Sequence, residues 1–368
     1  MTAHRTVLAA CVPLTVLMVA ALLPASAPVA ASGGVHRAAP PIDQPLRAHG
    51  ERLDLRIGTA VDMAAFNNDV PYRERIAAEF SAVTAENLMK WGELERERGV
   101  LDFRLADQLV AFARANRQKV HGHTLLWHNQ LPTWLTEGVA SGDIDAVELR
   151  GLLRQHIFDV VRHFRGKIWH WDVVNEVIDD SGNLRDTLFL RLLGPGYIAD
   201  SFRWAHQADP TVKLYLNDYN VEFPGVKADA YYALAQQLKA QRVPVHGLGA
   251  QGHLGLQYGL PSTLDMHNNL KRFEDLGLEI SFTEVDVRMI MPSDVYKIQA
   301  QAQGYSALLT TCLLLKRCVM FTVWGYTDKY SWIPGFFTNP PEGAANLLDE
   351  NFAPKPAYRE LQAVLAAA

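Results

Sequence analysis

Two acidic residues stand at the ends of apolar, β-rich segments that lie far apart in the chain. The stretch WHWDVVNEV, residues 169–177, carries Glu176 near its end, and EISFTEVD, residues 279–286, carries Glu284. A pair of carboxyl groups across a cleft suits the hydrolysis of a glycosidic bond, because one protonates the leaving oxygen while the other attacks the anomeric carbon or activates water. The sequence therefore nominates Glu176 and Glu284 as a catalytic pair.

The neighbours of these two acids differ, as the two catalytic roles require, because each role needs its own pKa. Asp286 follows Glu284 by two residues, and His253 ends the preceding apolar segment. These two groups are expected to hold Glu284 ionised and oriented. Glu176 follows Asn175 and two tryptophans, surroundings that favour a protonated carboxyl. For a single glutamate at a strand end, a structural ion pair would be the better interpretation. Two such glutamates at the ends of two strands favour a catalytic role instead.

Eight apolar, β-branched segments recur along the chain with helical patterns between them. Their hydrophobic residues run on without alternation, which is typical of parallel strands covered by helices. Helices are predicted over 105–115 and 148–164, and Ser262 with Asp265 predicts a helix start. The predicted strands are RIGTAV (56–61), FSAVTAE (80–86), KVHGHTLLW (119–127), KIWHWDVVNE (167–176), KLYLNDYN (213–220), GLGAQGHL (247–254), EISFTEV (279–285) and VMFTVWG (319–325).

This order predicts the α/β fold class and a single (β/α)8 TIM barrel. A doubly wound sheet is the alternative, but no G-x-G-x-x-G follows the first predicted strand. In a barrel the carboxyl ends of the strands meet at one face, where catalytic residues lie. The polar residues at those ends are Glu86, Asn87, His121, His123, Asn175, Glu176, Asn217, Asp218, Gln251, His253, Glu284 and Asp286, with Trp324 after the last strand.

Two other kinds of barrel protein remain open at this point. The pair His121 and His123 could bind a metal ion together with His253 and Asp286, which would make the chain a metal-dependent hydrolase. Against a metal site, His121 is expected to point outward while His123 points into the barrel. A non-catalytic sugar-binding barrel would keep the tryptophans and lose one carboxylate, whereas both are present here.

Composition and the chain ends limit the cellular context. The 368 residues are 49% hydrophobic with a formal net charge of -5, which gives no reason to expect a nucleic-acid partner or an anionic membrane. Residues 1–31 resemble a secretory signal peptide, 32–44 a flexible lead, and 45–366 a catalytic barrel. Removal of the signal leaves Cys312 and Cys318, which predict a disulfide in an oxidising compartment or, alternatively, two buried thiols.

From about residue 46 to 361 the chain resembles the family 10 glycoside hydrolases, which are retaining endo-β-1,4-xylanases. No single motif is decisive, but their order and spacing together are highly specific. The matching stretches are GTAVD (58–62), VTAENLMKWGELE (83–95), HGHTLLWHNQLPTW (121–134), WDVVNEV (171–177), LNDYN (216–220), GAQGH (249–253), ISFTEVDVR (280–288), VWGYTDKYSW (323–332) and PKPAYREL (354–361).

The resemblance implies a role for each matching residue. Glu176 would be the acid/base, Glu284 the nucleophile, and His253 with Asp286 the pair that tunes Glu284. Asn175 and Gln251 would contact the sugar at the cleavage point, and Tyr219 the aglycone side. The residues implied on the glycone side are Glu86, Asn87, Lys90, His123, Trp127 and Gln130, with Trp324 and Trp332 as aromatic walls. Without the resemblance, Glu86 and Lys90 would be read as a helical salt bridge.

The N-terminal pattern predicts a secreted, extracellular enzyme, and the resemblance implies that it acts on xylan and xylo-oligosaccharides without a cofactor or metal. The chain is expected to be a monomer. The resemblance implies the same disulfide between Cys312 and Cys318. Another retaining β-1,4-glucanase on the same barrel is the nearest alternative. Retention predicts a separation of about 5–5.5 Å between the two carboxyl groups, and inversion about 6.5–9.5 Å. Gly252 stands where the family usually carries Ser or Thr, which is expected to loosen that loop.

Overall fold

The computed structural model describes residues 43–368. The predicted signal peptide, 1–31, and residues 32–42 of the predicted lead lie outside the described residues. Among the helices of the described part, none is both long and apolar enough to cross a membrane.

Eight parallel strands in residues 43–368 close into a barrel, so the chain folds as the predicted (β/α)8 TIM barrel. Each strand pairs with the next along the chain, and the eighth pairs with the first through Ile57 and Phe321. The strands, labelled β1 to β8 in chain order, are Arg56–Val61, Ala82–Ala85, Lys119–Gly122, His170–Asn175, Lys213–Asp218, Gly247–Ala250, Glu279–Ile290 and Cys318–Val323.

Helices fill the connections between the strands and cover the barrel. Helices α1 to α14 are, in chain order, Leu46–Arg52, Met63–Asn68, Val70–Glu79, Trp91–Leu94, Arg104–Ala115, Thr133–Ser141, Ala146–His163, Leu188–Leu193, Gly196–Ala208, Val226–Ala240, Thr263–Asp275, Val295–Leu314, Ile333–Phe336 and Pro356–Ala367. Two 3-10 turns, Leu256–Tyr258 and Asp328–Tyr330, and two short strands, His253–Gly255 and Glu342–Gly343, complete the described chain.

The helix starts follow from local capping. Helix α7 begins two residues before the predicted 148–164, because the side chain of Asp145 accepts a hydrogen bond from the Glu148 amide at 2.9 Å. Helix α11 begins after Ser262, whose hydroxyl accepts from the Asp265 amide, as the sequence predicts. The apolar face of α7 is buried in the hydrophobic core, which fixes the helix in place.

The predicted strand over 247–254 is divided in the structure. Strand β6 ends at Ala250, and His253–Gly255 pairs separately with the outer part of β7. Between them Gly252 has a φ of 76°, in the left-handed region that favours glycine. A Cβ on Gly252 would lie 3.0 Å from a methyl carbon of Val285. The break turns His253 toward the outer part of β7, which extends past the predicted 279–285.

The interior of the barrel is filled by polar and aromatic side chains below the strand ends. The rings of His170 and Tyr215 stack with their centroids 4.3 Å apart. A Cβ on Gly247 would lie 2.3 Å from the Tyr215 ring, so this ring occupies the space that the glycine leaves free. The lumen is therefore closed, and the strand ends above it form a floor for the site.

The predicted disulfide is confirmed between Cys312, in the last turns of α12, and Cys318, at the start of β8. The two cysteines are six residues apart, so the bond ties a helix end directly to the strand that follows it. This fixes the return of the chain into the closing strand of the barrel.

Candidate active site

A cleft of about 1450 Å³ lies over the carboxyl ends of the barrel strands. Asp286 is the one predicted site residue that does not line it, since it lies behind His253. The predicted residues that line the cleft are Glu86, Asn87, Lys90, His123, Trp127, Gln130, Asn175, Glu176, Tyr219, Gln251, His253, Glu284, Trp324 and Trp332.

Glu176 is directed into the cleft by the turn that ends β4. Its φ is 57°, a left-handed conformation that is uncommon outside glycine, and its amide donates to the Asn217 carbonyl at 2.9 Å. One carboxyl oxygen accepts from the Trp127 indole at 2.9 Å, and the other accepts from Gln251 at 3.2 Å. These donors hold the carboxyl group at the cleft surface.

Glu284 lies deeper, on β7, and is only 5% exposed. Its Oε1 accepts from the Asn217 amide at 2.8 Å, and its Oε2 lies 3.3 Å from His253 Nε2. The other nitrogen of His253 lies 2.9 Å from Asp286. Glu284, His253 and Asp286 therefore form a chain of alternating charge, as the sequence predicts.

The charges around Glu284 favour its ionised form. Burial alone would raise the pKa of Glu284, but His123 and His253 outweigh it, so the pKa is lowered. Burial also opposes the charge of His253, yet Asp286 and Glu284 raise the pKa of this imidazole to about 10. A protonated His253 thus stands beside an ionised Glu284 at neutral pH.

Asn217 links the surroundings of the two glutamates. Its Nδ2 donates to Glu284 and also to Asn175 Oδ1 at 2.9 Å. Asn175 Oδ1 accepts from Gln251 too, and Gln251 donates to Glu176. The two carboxyl groups therefore share one network of amides on one wall of the cleft.

At the end of the cleft near β2 and β3, two amide side chains bind a buried cation. The ammonium of Lys90 donates to Asn87 at 2.8 Å and to Gln130 at 2.7 Å, and it lies 4.8 Å from the Trp127 ring centroid. Lys90 thus contacts amide oxygens. It does not form the helical salt bridge with Glu86 that the spacing of the two residues suggested. Burial, together with Asp62, raises the pKa of Glu86 to about 7.

Aromatic rings form the upper walls. Trp324 packs edge-on against His123 with the ring centroids 5.2 Å apart, and the Trp332 indole donates to Asp286 at 2.9 Å. Tyr219 also lines the cleft, and the centroid of its ring lies 3.2 Å from the Lys227 ammonium. Flat apolar faces beside amides and charges are the surfaces that a sugar ring fits.

The described chain matches the family model "Glycosyl hydrolase family 10" over residues 46–364. An endo-1,4-β-xylanase of Agaricus bisporus is 40% identical over 304 residues, which cover 82% of this chain and 88% of that protein. Endo-1,4-β-xylanase B of Thermotoga neapolitana is 40% identical over 86% of this chain and 90% of its own length. The chain belongs to glycoside hydrolase family 10. It is therefore a glycoside hydrolase, and the resemblance seen in its motifs is confirmed.

Solved structures agree with this assignment. Xylanase 10B of Thermotoga petrophila RKU-1, solved in complex with xylobiose, is 40% identical with a TM-score of 0.83, over 87% of this chain and 97% of that one. A glycosylated endo-β-1,4-xylanase from Gloeophyllum trabeum is 35% identical with a TM-score of 0.81, over 89% and 100%.

The family 10 site contains a buried histidine pair, and the predicted orientation of His121 is wrong. His121 does not point outward. Residues two apart on a strand share a face, and His121 and His123 both contact the same oxygen of Asp172, at 2.7 and 2.9 Å. Burial alone would raise the pKa of Asp172, but the two histidines hold it below its usual range.

The potential metal ligands differ from those that the sequence suggested. His123, Asp172 and Glu284 each offer a ligand atom, and these three atoms lie within 4.8 Å of one another. Asp172 already bonds both histidines, and Glu284 already accepts from Asn217. These bonds engage the three groups as a hydrogen-bonded set below the cleft, while the other buried oxygen of Asp172, Oδ1, has no hydrogen-bond partner.

Sequence reasoning missed a second buried network, behind Glu176 in this glycoside hydrolase. Asp218 ends β5 and is fully buried, where it pairs with Lys227 at 2.8 Å and accepts from the Tyr231 hydroxyl. Tyr231 in turn accepts from the Val177 amide at 3.1 Å, one residue after Glu176. Burial raises the pKa of Asp218 to about 7. Asp218 was noted only as a strand-end residue; its partners lie on α10, which the motifs do not include.

Proposed function

We propose that this family 10 enzyme is an endo-1,4-β-xylanase that hydrolyses internal β-1,4-xylosidic bonds of xylan with retention of anomeric configuration. The observation that carries the proposal is the common network of Asn217, Asn175 and Gln251, which joins Glu176 and Glu284 on one cleft. Both relatives described above are endo-1,4-β-xylanases, which supports the same substrate.

The first step uses Glu284 as the nucleophile. Its ionised carboxylate, favoured by His123 and His253, attacks the anomeric carbon and forms a glycosyl-enzyme ester. Glu176 donates its proton to the bridging oxygen, so that the leaving chain departs as an alcohol. The contacts of Glu176 with Trp127 and Gln251 hold it at the cleft surface for this transfer.

The second step returns the enzyme to its starting state. Glu176, now a carboxylate, removes a proton from water as the water oxygen attacks the anomeric carbon. The bond to Glu284 breaks and its carboxylate is released. Two inversions at one carbon give net retention, and this mechanism requires the separation of about 5–5.5 Å stated above.

The remaining predicted residues supply binding. Asn175 would contact the 2-hydroxyl and Gln251 the sugar at the cleavage point, while Asp286 orients His253. Glu86, Asn87, Lys90, His123, Trp127 and Gln130 would bind the glycone sugars under Trp324 and Trp332, with Tyr219 facing the aglycone. Polar clusters of this kind reject a sugar that lacks the matching hydroxyl, because a buried polar group is then left unpaired.

Selectivity for a pentose is the part of the proposal that a substrate comparison tests. Xylose lacks the hydroxymethyl group of glucose, so a close wall near Gln130 and Trp332 would exclude cellulose. Release of reducing ends from xylan and from cellulose, measured side by side, should be far faster on xylan. Equal rates on xylo- and cello-oligosaccharides would support the β-1,4-glucanase alternative instead.

Secretion remains a proposal that the N-terminal pattern supports. Residues 1–31 carry a basic residue followed by an apolar run and small residues, and a disulfide such as Cys312–Cys318 is typical of oxidising compartments. Cleavage after Ala31 predicts an exported protein that starts at Ser32, which mass measurement of protein from the culture medium checks. A monomer that needs no metal or cofactor also remains a prediction.

A further inference from the structure

Three charged residues occupy alternate positions on β7, and the third has no assigned role. Side chains two apart on a strand point to the same face, so Arg288 follows Glu284 and Asp286 along one row. Arg288 lines the cleft although its residue is only 8% exposed. A charged side chain is seldom buried to this degree unless a partner group holds it.

The guanidinium of Arg288 is fixed from behind. Its Nε lies 2.8 Å from Glu342 Oε2, and Glu342 comes from the short strand that pairs antiparallel with the end of β7. Gln257 donates to the other oxygen of Glu342 at 2.8 Å. The Phe337 ring lies under the guanidinium, 4.2 Å from its central carbon. The side chain is therefore locked in one orientation.

The outer end of the same group remains available. Within residues 43–368, the two Nη atoms of Arg288 have no hydrogen-bond partner, and neither is among the buried polar atoms. Glu342 does not line the cleft, whereas Arg288 does. The free donors therefore face the cleft, and the countercharge lies on the other side of them.

The surroundings of the Arg288 end have the form of a sugar site. Gly255 is paired with Arg288 across the strands and carries no side chain that could cover it. Two rings that line the cleft, Tyr258 and Phe336, are 78% and 69% exposed. Phe336 packs on Phe337 with the ring centroids 4.9 Å apart, which places one exposed ring next to the ring under the cation.

We propose that Arg288, with Tyr258 and Phe336, binds a carboxylate-bearing branch sugar, a hexuronate, on the polysaccharide. The two Nη donors form a planar fork that matches a carboxylate, and the exposed rings offer apolar faces to the pyranose. The facing charges are Glu342 behind and the Asp286–His253 pair beside. Glu284 also contacts His253, so the carboxylates around Arg288 offset its charge, and the geometry of the fork, rather than net charge, supplies the recognition.

This inference rests on the proposed xylanase activity, so the test compares matched substrates. The substrates are one xylo-oligosaccharide without a branch, the same chain with one glucuronate branch, and that chain with the branch carboxyl reduced to an alcohol. Wild-type kcat/KM should be about 10-fold higher for the acidic branch than for the reduced branch, because one hydrogen bond to a charged group changes binding by about this factor. The preference should fall as salt is added.

Variants assign the preference to the site. The double variant Arg288→Gln with Glu342→Gln removes both charges of the buried pair. It should bring the ratio of kcat/KM on the acidic branch to kcat/KM on the reduced branch close to one. Arg288→Lys keeps the charge without the fork and should lose most of the preference. Phe336→Ala, at a ring that is 69% exposed, should weaken hydrolysis of both branched substrates relative to the unbranched one.

Three results would overturn the inference. Equal wild-type rates on acidic and reduced branches would show that the carboxylate is not read. A preference that survives the double variant would place the recognition elsewhere. If either of these results is found but the unbranched chain is still hydrolysed, the proposed function stands and only this inference fails. If none of the three substrates is hydrolysed, the proposed function and this inference both fail.

Discussion

At the scale of single residues, Glu176 shows how backbone conformation serves the site. A φ of 57° at a residue other than glycine costs free energy and persists only where neighbouring contacts impose it. Those contacts are the hydrogen bond from its amide to Asn217 and the guanidinium of Arg185, which donates to its carbonyl at 2.7 Å. The strain is thus held where the proposed acid must face its substrate.

Replacement of each glutamate by alanine separates the two proposed roles. Glu284→Ala should abolish turnover of every glycoside, because no covalent intermediate can form. Glu176→Ala should reduce hydrolysis of xylan by about 10²–10⁴-fold, the usual contribution of a general acid, while an aryl xyloside with a good leaving group loses much less in its first step. Steady-state kinetics on both substrates measure this, and equal losses would count against the acid role of Glu176.

The dependence of kcat/KM on pH should show the effect of the protonated His253 on the ionisation of Glu284. His253, protonated up to a pKa of about 10, lowers the pKa of Glu284, so activity should fall on the acid side only as pH passes below that lowered value. His253→Gln removes the cation and should raise the pKa of Glu284, which moves the acid limb of kcat/KM to higher pH by about 1 unit or more.

A matched control exists for the His253 experiment. His163 also contacts a carboxylate, Asp107 at 2.9 Å, but outside the cleft. His163→Gln should leave the acid limb of kcat/KM where it is. An unmoved limb in His253→Gln, or the same movement in both variants, would contradict the assigned role of His253.

The sequence predicted the catalytic candidates but only part of their support. Glu176 and Glu284 could be found because each ends an apolar run, and strand ends meet on one face of a barrel. The contact of His121 and His123 with Asp172 was missed through a periodicity error, since residues two apart share a face. The Lys90 cluster was named residue by residue, but its hydrogen bonds depend on loop positions that spacing does not give.

At the scale of elements, the connection after β6 shows where sequence patterns end. A continuous run over 247–254 reads as one strand, yet Gly252 adopts a left-handed φ of 76° and its amide donates to the buried Glu222 at 2.7 Å. This glycine was expected to loosen the loop. Its conformation and its hydrogen bond instead fix the turn that places Gln251 and His253 in the site.

The network behind Glu176 should stabilise both the fold and the catalytic turn. Tyr231 donates to Asp218 Oδ2 and accepts from the Val177 amide, so Tyr231→Phe leaves two buried polar atoms without this partner, although Asp218 keeps its ion pair with Lys227. We expect a loss of about 1–3 kcal/mol in the free energy of unfolding and a lower kcat on xylan. Denaturant unfolding and steady-state kinetics measure the two effects.

The adjacent tyrosine provides the control for that element. Tyr232 is half-buried and packs its ring on Phe273 and near Arg272. Tyr232→Phe keeps these ring contacts and should change stability and kcat little. If both variants behave alike, the network has no special part in holding the turn after β4.

At the scale of the whole molecule, the barrel was the most predictable feature. Eight apolar runs separated by helical patterns leave few arrangements, and the closed sheet follows from pairing each strand with the next. The ion pair between Arg288 and Glu342 was not predictable, because the partners stand 54 positions apart and only the antiparallel pairing at the end of β7 brings them together. Contacts made between the loops thus required the structure.

The stereochemistry of the first product tests the central claim most directly. Purified enzyme is mixed with a short xylo-oligosaccharide, and the anomeric proton of the new reducing end is followed by NMR before mutarotation proceeds. A pair acting by double displacement, with Glu284 as nucleophile and Glu176 as acid/base, predicts that the β-anomer appears first and the α-anomer only later. Initial appearance of the α-anomer would show inversion and contradict the mechanism.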